Sequence, residues 1–531
     1  MAATPTPQRA DRNVGFDEEN IPLSPEDSTA SRQKWISKAN RNRTDLNEQT
    51  IETRAFRHGY IVKRPRALHY KNIDAPDSSY PLAERRVSRS TSNSSSGASG
   101  GDREERSTDD ILKQISRLDL FVVANLSATF SEQAFTESGV GTGPAILEFL
   151  LLFVPIWRVW DTLRAFCINF FVDDVIQRTF VVWILILAVV YGINAPYAFV
   201  PEGENSLRIL VGTYLVTRAS FLVANGIQAF FIPFLRRQFL FKACTSIAAS
   251  ALWIGSLYVR YPAKIGLLIA ANVIEHPADI FLASPVADKY LTPGYKRATH
   301  IDHYVDRHEG FFIIILGEGV FRLVEGSPSG FGLNAKTGVV ITALLMYYLL
   351  HWLYFNGDHT KQFVHALRRT WWKPVLWQML HVFMFGSLLI LAASTLFLVE
   401  HPGHRSTVEP EPATLERCAE EGTEEAEAPK PAIYAIWAAS ATLAIVIALM
   451  TCIALLNRSL DKPKTLLVNS RWIRMAPRLV FIIIVCCLPL ITHLSASEWC
   501  GGACALLYAL FLWEWVSGLE RNWHFLEPKN E

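Results

Sequence analysis

The chain has 531 residues, of which 50% are hydrophobic and 12% aromatic, and its formal net charge is only +1. After Leu118 the apolar residues form successive runs of roughly twenty, separated by short charged loops, a composition that excludes an ordinary soluble domain and indicates transmembrane helices. The net charge by itself excludes no partner. The apolar runs favour the lipid bilayer as the partner, and we expect no nucleic-acid partner.

Residues 1–110 predict a disordered cytoplasmic tail. They mix charges with many Ser, Pro and Asn and contain the run SRSTSNSSSGASGG, so they lack the apolar surface needed to fold alone. No apolar signal-peptide core opens the chain, so we expect the first membrane helix to direct insertion. Arg85, Arg86 and Ser88 resemble a basophilic kinase site, which makes Ser88 a regulatory candidate. The alternative is a plain solvated linker.

The rest of the chain predicts an all-α fold, a polytopic transmembrane helix bundle of about 12 helices over 111–525, with a short C-terminal tail at 526–531. The candidate spans are 118–131, 145–163, 179–195, 207–232, 243–259, 265–283, 310–324, 338–356, 375–399, 432–456, 479–495 and 503–518. Several are shorter than the roughly 20 residues that a perpendicular helix needs, so the count carries an error of about two.

The distribution of Lys and Arg between loops predicts the orientation. Cations recur in the second, fourth, sixth, eighth and tenth loops, as in the group Arg236, Arg237 and Lys242. The loops at 132–144, 196–206 and 496–502 contain none, and the acidic, Pro-rich loop at 400–431 is predicted to be disordered. The positive-inside rule therefore predicts that both termini are cytoplasmic.

Glu318 is the ionisable residue with the most unusual position. The apolar run FFIIIL follows Gly310, and Glu318 lies about 12 Å along the same helix, well inside a hydrocarbon layer about 30 Å thick. Charged residues at such depth are costly and are functional-site candidates. Arg322 lies four residues later on the same face, so it is either a functional counter-charge or half of an intrahelical pair that only neutralises Glu318.

The second span carries Arg158, Asp161 and Arg164, three residues apart, which predicts a charge-compensated stripe on one side of the helix. Trp157 and Trp160 in the same span are expected to be anchors at the membrane interface.

The sixth span carries Glu275 and Asp279 four residues apart on one face. Two carboxylates held close disfavour each other's ionisation, which suits proton-coupled work. Pro277 lies between them and predicts an interrupted helix of the kind found in transporters. The alternative is a kinked helix that ends at the cytoplasmic surface with solvated acids.

Six histidines flank the seventh and eighth spans: His300, His303, His308, His351, His359 and His365. Imidazoles and carboxylates together can bind a transition metal. The spacings match no defined ligand motif, so we favour ordinary juxtamembrane histidines, with His303, Arg307 and His308 in the headgroup layer, and expect neither a metal nor a cofactor.

The segment HYVDRHEGFFIIILGEGV resembles the low temperature requirement A family of multi-pass membrane proteins. RLDLFVVANL, FVPIWRVW and FFVDDVIQR resemble that family's first helix, its second helix and the acidic pair that follows. The positions that match are His303, Arg307, Gly310, Gly317, Glu318, Asp119, Trp157, Asp173 and Asp174. The resemblance implies a membrane role connected to growth in the cold and supplies no biochemical activity.

The intramembrane carboxylates favour a proton- or cation-coupled secondary transporter, or permease, for a small solute or ion. Glu318 is the expected ion site. Asp119, Glu275 and Asp279 are candidates for the same polar cavity, with Arg322 or Arg218 as counter-charges.

Two other functions stay open. A membrane-embedded lipid-modifying enzyme would suit adaptation to cold, but the sequence has no HExxH, no His-box series and no nucleophile-elbow motif, so we assign no catalytic residue and favour a non-enzyme. A membrane sensor or scaffold would use the tail, switched by phosphorylation near Ser88, as its output.

Overall fold

The computed structural model describes residues 70–72, 126–135, 142–170, 174–200, 203–297, 301–325, 328–357, 360, 363–403, 433–461, 465–491 and 494–521. Ser88, Asp119 and Asp173 lie outside these residues, as do most of the predicted tail and of the 400–431 loop.

The described part of the chain forms thirteen α-helices. They are α1 (Leu126–Phe135), α2 (Thr142–Phe170), α3 (Val175–Asn194), α4 (Glu204–Phe231), α5 (Arg236–Ser256), α6 (Ala263–Leu282), α7 (Pro285–Leu291), α8 (Ile301–Val324), α9 (Ala335–Asn356), α10 (Trp372–Glu400), α11 (Ile433–Leu456), α12 (Arg471–Cys487) and α13 (Ala496–Ser517). Single 3-10 turns occupy Ala195–Tyr197, Pro233–Leu235, Ala366–Arg368 and Leu488–Leu490. The predicted all-α class is confirmed.

Two short antiparallel ladders join loops at helix ends. Strand β1 (Tyr70–Asn72) pairs with β2 (Tyr295–Arg297), and β3 (Phe363–Val364) pairs with β4 (Arg458–Ser459). β1 lies inside the segment that the sequence predicts to be a disordered tail.

Ten of the described helices are long and apolar enough to cross a membrane, namely α2 to α6 and α9 to α13. α8 is long enough but has a charged first half, and only ten residues of α1 are described. These two helices overlap the first and seventh predicted spans, both of which are shorter than a perpendicular transmembrane helix requires. The predicted polytopic helix bundle is confirmed.

The helices pack in two groups that meet at α2. In the first group α3 packs against α4, α4 against α5, and α5 against α6. α6 also contacts α2. In the second group α10 is central and packs against α1, α8, α9, α11 and α13. α2 contacts α4 and α6 on one side and α1 and α10 on the other. α2 therefore joins the two groups, together with a contact between α1 and the 3-10 turn Ala195–Tyr197.

The face of α2 that meets the second group is aromatic. Trp157 and Trp160 are each only 4% exposed, and their ring centroids lie 4.7 Å apart. Phe311 of α8 contacts both rings, and Phe385 of α10 contacts Trp157. The prediction that the two Trp residues are interface anchors is wrong, because hydropathy does not reveal which face of an apolar helix meets protein and which meets lipid.

Among the three glycines of α8, the neighbouring helix approaches most closely at Gly319. A Cβ atom there would lie 2.8 Å from the Tyr347 ring of α9, so only glycine fits without movement. Gly310 and Gly317, which the family resemblance highlights, have no atom within 4 Å of such a Cβ position. The resemblance therefore does not mark the glycine on which α8 and α9 pack.

A buried ion pair joins α12 to α13. Arg478 donates from Nε to Glu514 Oε1 at 2.6 Å and from Nη2 to Oε2 at 3.0 Å, and both side chains are almost fully buried. Nη2 also lies 3.3 Å from the carbonyl oxygen of Gly357 at the end of α9. The pair thus connects α12 to α13 and to the end of α9.

We predict that Glu514→Leu destabilises the protein by about 3–5 kcal/mol, because it leaves the buried Arg478 guanidinium without its carboxylate. The double variant Arg478→Met, Glu514→Leu should lose much less, because it removes both charges. Thermal unfolding in detergent, followed by Trp fluorescence, measures the difference. Equal melting temperatures for Glu514→Leu and the wild type would contradict the assignment.

Candidate functional site

Four charged side chains from three helices meet near the middle of α2. Arg158 extends from α2, Arg218 from α4, and Glu275 and Asp279 from α6. We call these four residues the central charge cluster. Arg158, Arg218 and Glu275 have side-chain exposures of 14% or less, so the cluster lies mainly between helices.

Arg158 bridges the two carboxylates of α6. Its Nε atom lies 2.7 Å from Glu275 Oε2, and its Nη2 atom donates to Asp279 Oδ2 at 2.7 Å. Arg218 donates from Nη2 to the other oxygen of Glu275 at 2.6 Å. The hydroxyl of Tyr214 donates to Glu275 Oε2 at 3.3 Å. Glu275 is therefore held by an ion pair from α2 and by hydrogen bonds from α4.

The two carboxylates differ in their surroundings. The Glu275 side chain is 3% exposed, whereas that of Asp279 is 53% exposed. Asp279 lies only three residues before Leu282, where α6 ends, and Glu275 lies one turn deeper. The alternative of two solvated acids is therefore wrong for Glu275, whereas the side chain of Asp279 is about half exposed.

The sequence predicts repulsion between the two carboxylates, but Arg158 lies between them and pairs with both. Two guanidinium groups face two carboxylates, so the repulsion between Glu275 and Asp279 is offset inside the cluster. The predicted interruption of the helix is also absent, since α6 runs as one helix through Pro277 to Leu282. Pro277 removes only the hydrogen-bond donor for the carbonyl group of Val273.

Glu318 has local partners. Its side chain is 2% exposed; Arg322 donates from Nε to Oε1 at 2.8 Å, and Ser127 of α1 donates to the same oxygen at 3.1 Å. Arg322 also contacts Glu325 at 2.7 Å. The expected Glu318–Arg322 pair is therefore present within α8. None of these contacts joins Glu318 to Glu275.

The predicted stripe on α2 divides in two. Arg158 turns toward α6, while Arg164 pairs with Asp161. The Arg164 guanidinium also lies over the Tyr304 ring of α8, 3.8 Å from its centroid, and the Tyr304 hydroxyl donates to Gln378 of α10. This second polar group lies where α2, α8 and α10 meet.

His308 is a core histidine. It is fully buried, its Nδ1 atom lies 2.9 Å from the carbonyl oxygen of Tyr304, and its ring contacts Trp377 and His381 of α10. Among the described residues, its Nε2 atom has no hydrogen-bond partner. The prediction that His308 lies in the headgroup layer is wrong, because this end of α8 packs against aromatic side chains. Within the residues described, no group of three or more His, Cys, Asp or Glu could hold a metal ion.

Several positions highlighted by the family resemblance have structural contacts. The carboxylate of Asp174 accepts a hydrogen bond from the backbone N–H of Gln177 at 2.6 Å and so caps the start of α3. Trp157 is part of the core, and Arg307 is buried at the start of α8. The side chain of His303 and the whole of Asp173 lie outside the described structure.

Comparison with known families identifies the chain. The model of the bacterial low temperature requirement A protein (LtrA) matches residues 120–513, which is more than half of the chain. The protein belongs to the LtrA family. Comparisons with curated proteins and with solved structures gave no match. The matched LtrA region includes Glu318 and every member of the central charge cluster, and the protein is a multi-pass integral membrane protein.

Sequence reasoning did not assign two members of this site. Arg158 was recognised only as part of a local stripe, and Tyr214 was not singled out. An arginine within an apolar span is itself a signal, because such residues nearly always have a partner elsewhere in the bundle. The sequence does not say which helix supplies that partner.

We predict that Glu275→Gln destabilises this LtrA protein more than Glu318→Gln does. The first change removes the carboxylate between two buried arginines, at a cost of about 3–5 kcal/mol. In the second, Arg322 keeps Glu325 as a charged partner and the glutamine still accepts from Ser127, so the loss should be smaller. Thermal unfolding of both variants in one detergent tests this ranking. A larger loss in Glu318→Gln would reverse it.

Proposed function

We propose that this LtrA protein is a proton- or cation-coupled secondary transporter and that the central charge cluster is its coupling site. The observation that carries the proposal is the bridging position of Arg158, which pairs with both Glu275 and Asp279 of α6. Ionisable groups inside a membrane bundle are costly to retain and typically mark substrate or ion pathways.

The cluster lies where the first group of helices contacts α2, so movement of that group relative to α2 would change its contacts. α2 joins the two groups of helices, while α4 and α6 belong to the first group. Displacement of the first group relative to α2 would stretch the contacts of Arg158 and leave buried charges without partners. A proton or ion that enters the cluster changes this balance, so its binding would bias the protein between two helix arrangements. Alternating access by one bundle moving against another is a common transporter mechanism.

Glu318 is the second candidate for the ion path. Its strongest partner, Arg322, is on its own helix, so helix movement does not break that pair. We therefore place the coupling role at Glu275 and Asp279 rather than at Glu318. Asp119, which lies outside the described residues, stays a candidate for the same path as Glu318, because Ser127 of the same predicted span contacts that carboxylate.

The proposed orientation has both termini in the cytoplasm, because the cation-rich loops then fall on the inner side. In this orientation α6 runs inward, and Asp279 lies near its cytoplasmic end.

We predict that Glu275→Gln abolishes solute-driven proton or cation flux and that Glu318→Gln retains most of it. The flux is measured in proteoliposomes containing a pH dye, with a panel of solutes applied outside. Glu204→Gln is the matched control, because Glu204 is exposed and, within the described residues, its ion pair is with Arg208 on its own helix.

Each outcome of this flux experiment has a defined meaning. Flux that survives in Glu275→Gln and disappears in folded Glu318→Gln would move the coupling site to α8. Wild-type protein that is folded but transports no member of the panel would contradict the transporter proposal.

The pairing of β1 with β2 favours a second, regulatory function of the sensor type. Tyr70 is opposite Arg297 and Asn72 is opposite Tyr295, so a segment of the predicted tail contacts the loop just before α8. The Tyr295 ring stacks on Phe234 between α4 and α5, with 3.9 Å between ring centroids. We propose that the tail acts on the helix bundle through this ladder, and a phosphate at Ser88 would act on the same connection.

We predict that deleting residues 1–72 speeds backbone hydrogen exchange at 295–297, because the strand partner is lost. Hydrogen-exchange mass spectrometry of the full chain and the truncated chain measures the change. The β3–β4 ladder at 363–364 is the internal control and should be unaffected. Unchanged exchange at 295–297 would exclude a stable β1–β2 ladder.

A further inference from the structure

We infer that the transported solute is a small anion with carboxylate or phosphate oxygens, which replaces Asp279 on Arg158 while Asp279 takes up one proton. This inference rests on the proposed transport function and specifies its substrate class and its coupling.

The two carboxylates of the cluster cannot exchange with equal ease. Glu275 accepts hydrogen bonds from Arg218 and Tyr214 of α4, forms an ion pair with Arg158 of α2, and is almost fully buried. Removing it would leave these three side chains without their carboxylate. Asp279 is half exposed and accepts only the Nη2 group of Arg158 in the contacts described. Asp279 is therefore the carboxylate that can leave, and Glu275 is the one that holds Arg158 in place.

The groups that face Asp279 are mainly cationic. Arg158 contacts it from α2, and Arg218 of α4 lies within electrostatic reach. On α6 itself, His276 lies one turn away, with its Nδ1 atom 3.3 Å from Arg158 Nη1 and 2.8 Å from the carbonyl oxygen of Asn272. α5 and α7 also pack against α6: Phe241 of α5 contacts Phe281 near this end, and α7 carries Asp288 and Lys289. An entering solute thus meets guanidinium groups and apolar rings.

Charge balance determines the coupling. Two arginines and two carboxylates give the cluster a net charge of zero, which a site of low dielectric favours. An anion that entered alone would leave an excess negative charge. If Asp279 binds a proton, its neutral carboxyl group releases Arg158 Nη2, and the anion accepts from that group. One anion and one proton then enter together, and the net charge of the cluster stays at zero.

The chemistry of Arg158 selects the class of anion. A guanidinium group presents its donors in a planar fork that matches carboxylate and phosphate oxygens. A cation that approached the exposed side of Asp279 would be repelled by Arg158, which pairs with it, and by Arg218, which lies within electrostatic reach. The contacts therefore favour an anion over a cation as the solute.

The test uses full-length protein in proteoliposomes, with radiolabelled gluconate and inorganic phosphate as anionic probes. Sorbitol is the neutral control, and choline is the cationic control. An inward proton gradient of one pH unit should drive about tenfold accumulation of gluconate, the limit for one proton per anion. Because the movement is electroneutral, a potassium diffusion potential set with valinomycin should leave the gluconate rate unchanged.

Asp279→Asn separates this mechanism from simple anion binding. Asparagine resembles the protonated carboxyl group, so the variant should still bind gluconate but lose proton-driven accumulation. Its transport should now carry negative charge and accelerate when the vesicle interior is made positive. Glu204→Gln should behave like the wild type in both assays.

The outcomes distinguish the inference from the proposed function. Transport of sorbitol or choline without transport of either anion would overturn the anionic substrate while leaving a transporter. Gluconate transport that responds to potential in the wild type, or that keeps its proton drive in Asp279→Asn, would overturn the role of Asp279. Absence of flux for every probe and for the wider solute panel would overturn both proposals.

Discussion

A charge inside this bundle is stable only when an opposite charge lies against it, because the desolvation penalty of an unpaired ion exceeds most single packing contributions. The structure meets this requirement mainly between helices. Arg158 of α2 and Arg218 of α4 meet Glu275 of α6, and Arg478 of α12 meets Glu514 of α13. Each of these contacts fixes the relative position of two helices. The same contacts are the ones that helix movement or protonation would disturb.

The two interhelical sites differ in their environment. The Arg478–Glu514 pair is closed, since both side chains are almost fully buried and the guanidinium also donates to Gly357. The central charge cluster has one open member, Asp279. A closed pair stabilises a fixed arrangement, whereas an open member can exchange its partner for a proton or a solute. This difference is the physical basis for assigning a structural role to the first site and a coupling role to the second.

Much of the architecture could be predicted from the sequence, because apolar runs and cation distribution are local properties. The Glu318–Arg322 pair was also accessible, since i, i+4 spacing on a helix brings the two side chains together. Arg158 and Asp279, in contrast, are 121 residues apart, and hydropathy carries no information about which helices are neighbours. The burial of Trp157 and His308 was missed for the same reason. The continuity of α6 through Pro277 depends on neighbouring helices that support the weakened backbone.

In the proposed mechanism a proton and an anion enter the charge cluster together. Their stoichiometry is measured as proton uptake by purified protein in weakly buffered detergent solution when gluconate is added. We predict uptake of about one proton per bound gluconate, because neutralisation of Asp279 must accompany the loss of its contact with Arg158. Saturable gluconate binding without any change in pH would exclude proton–anion coupling at this cluster.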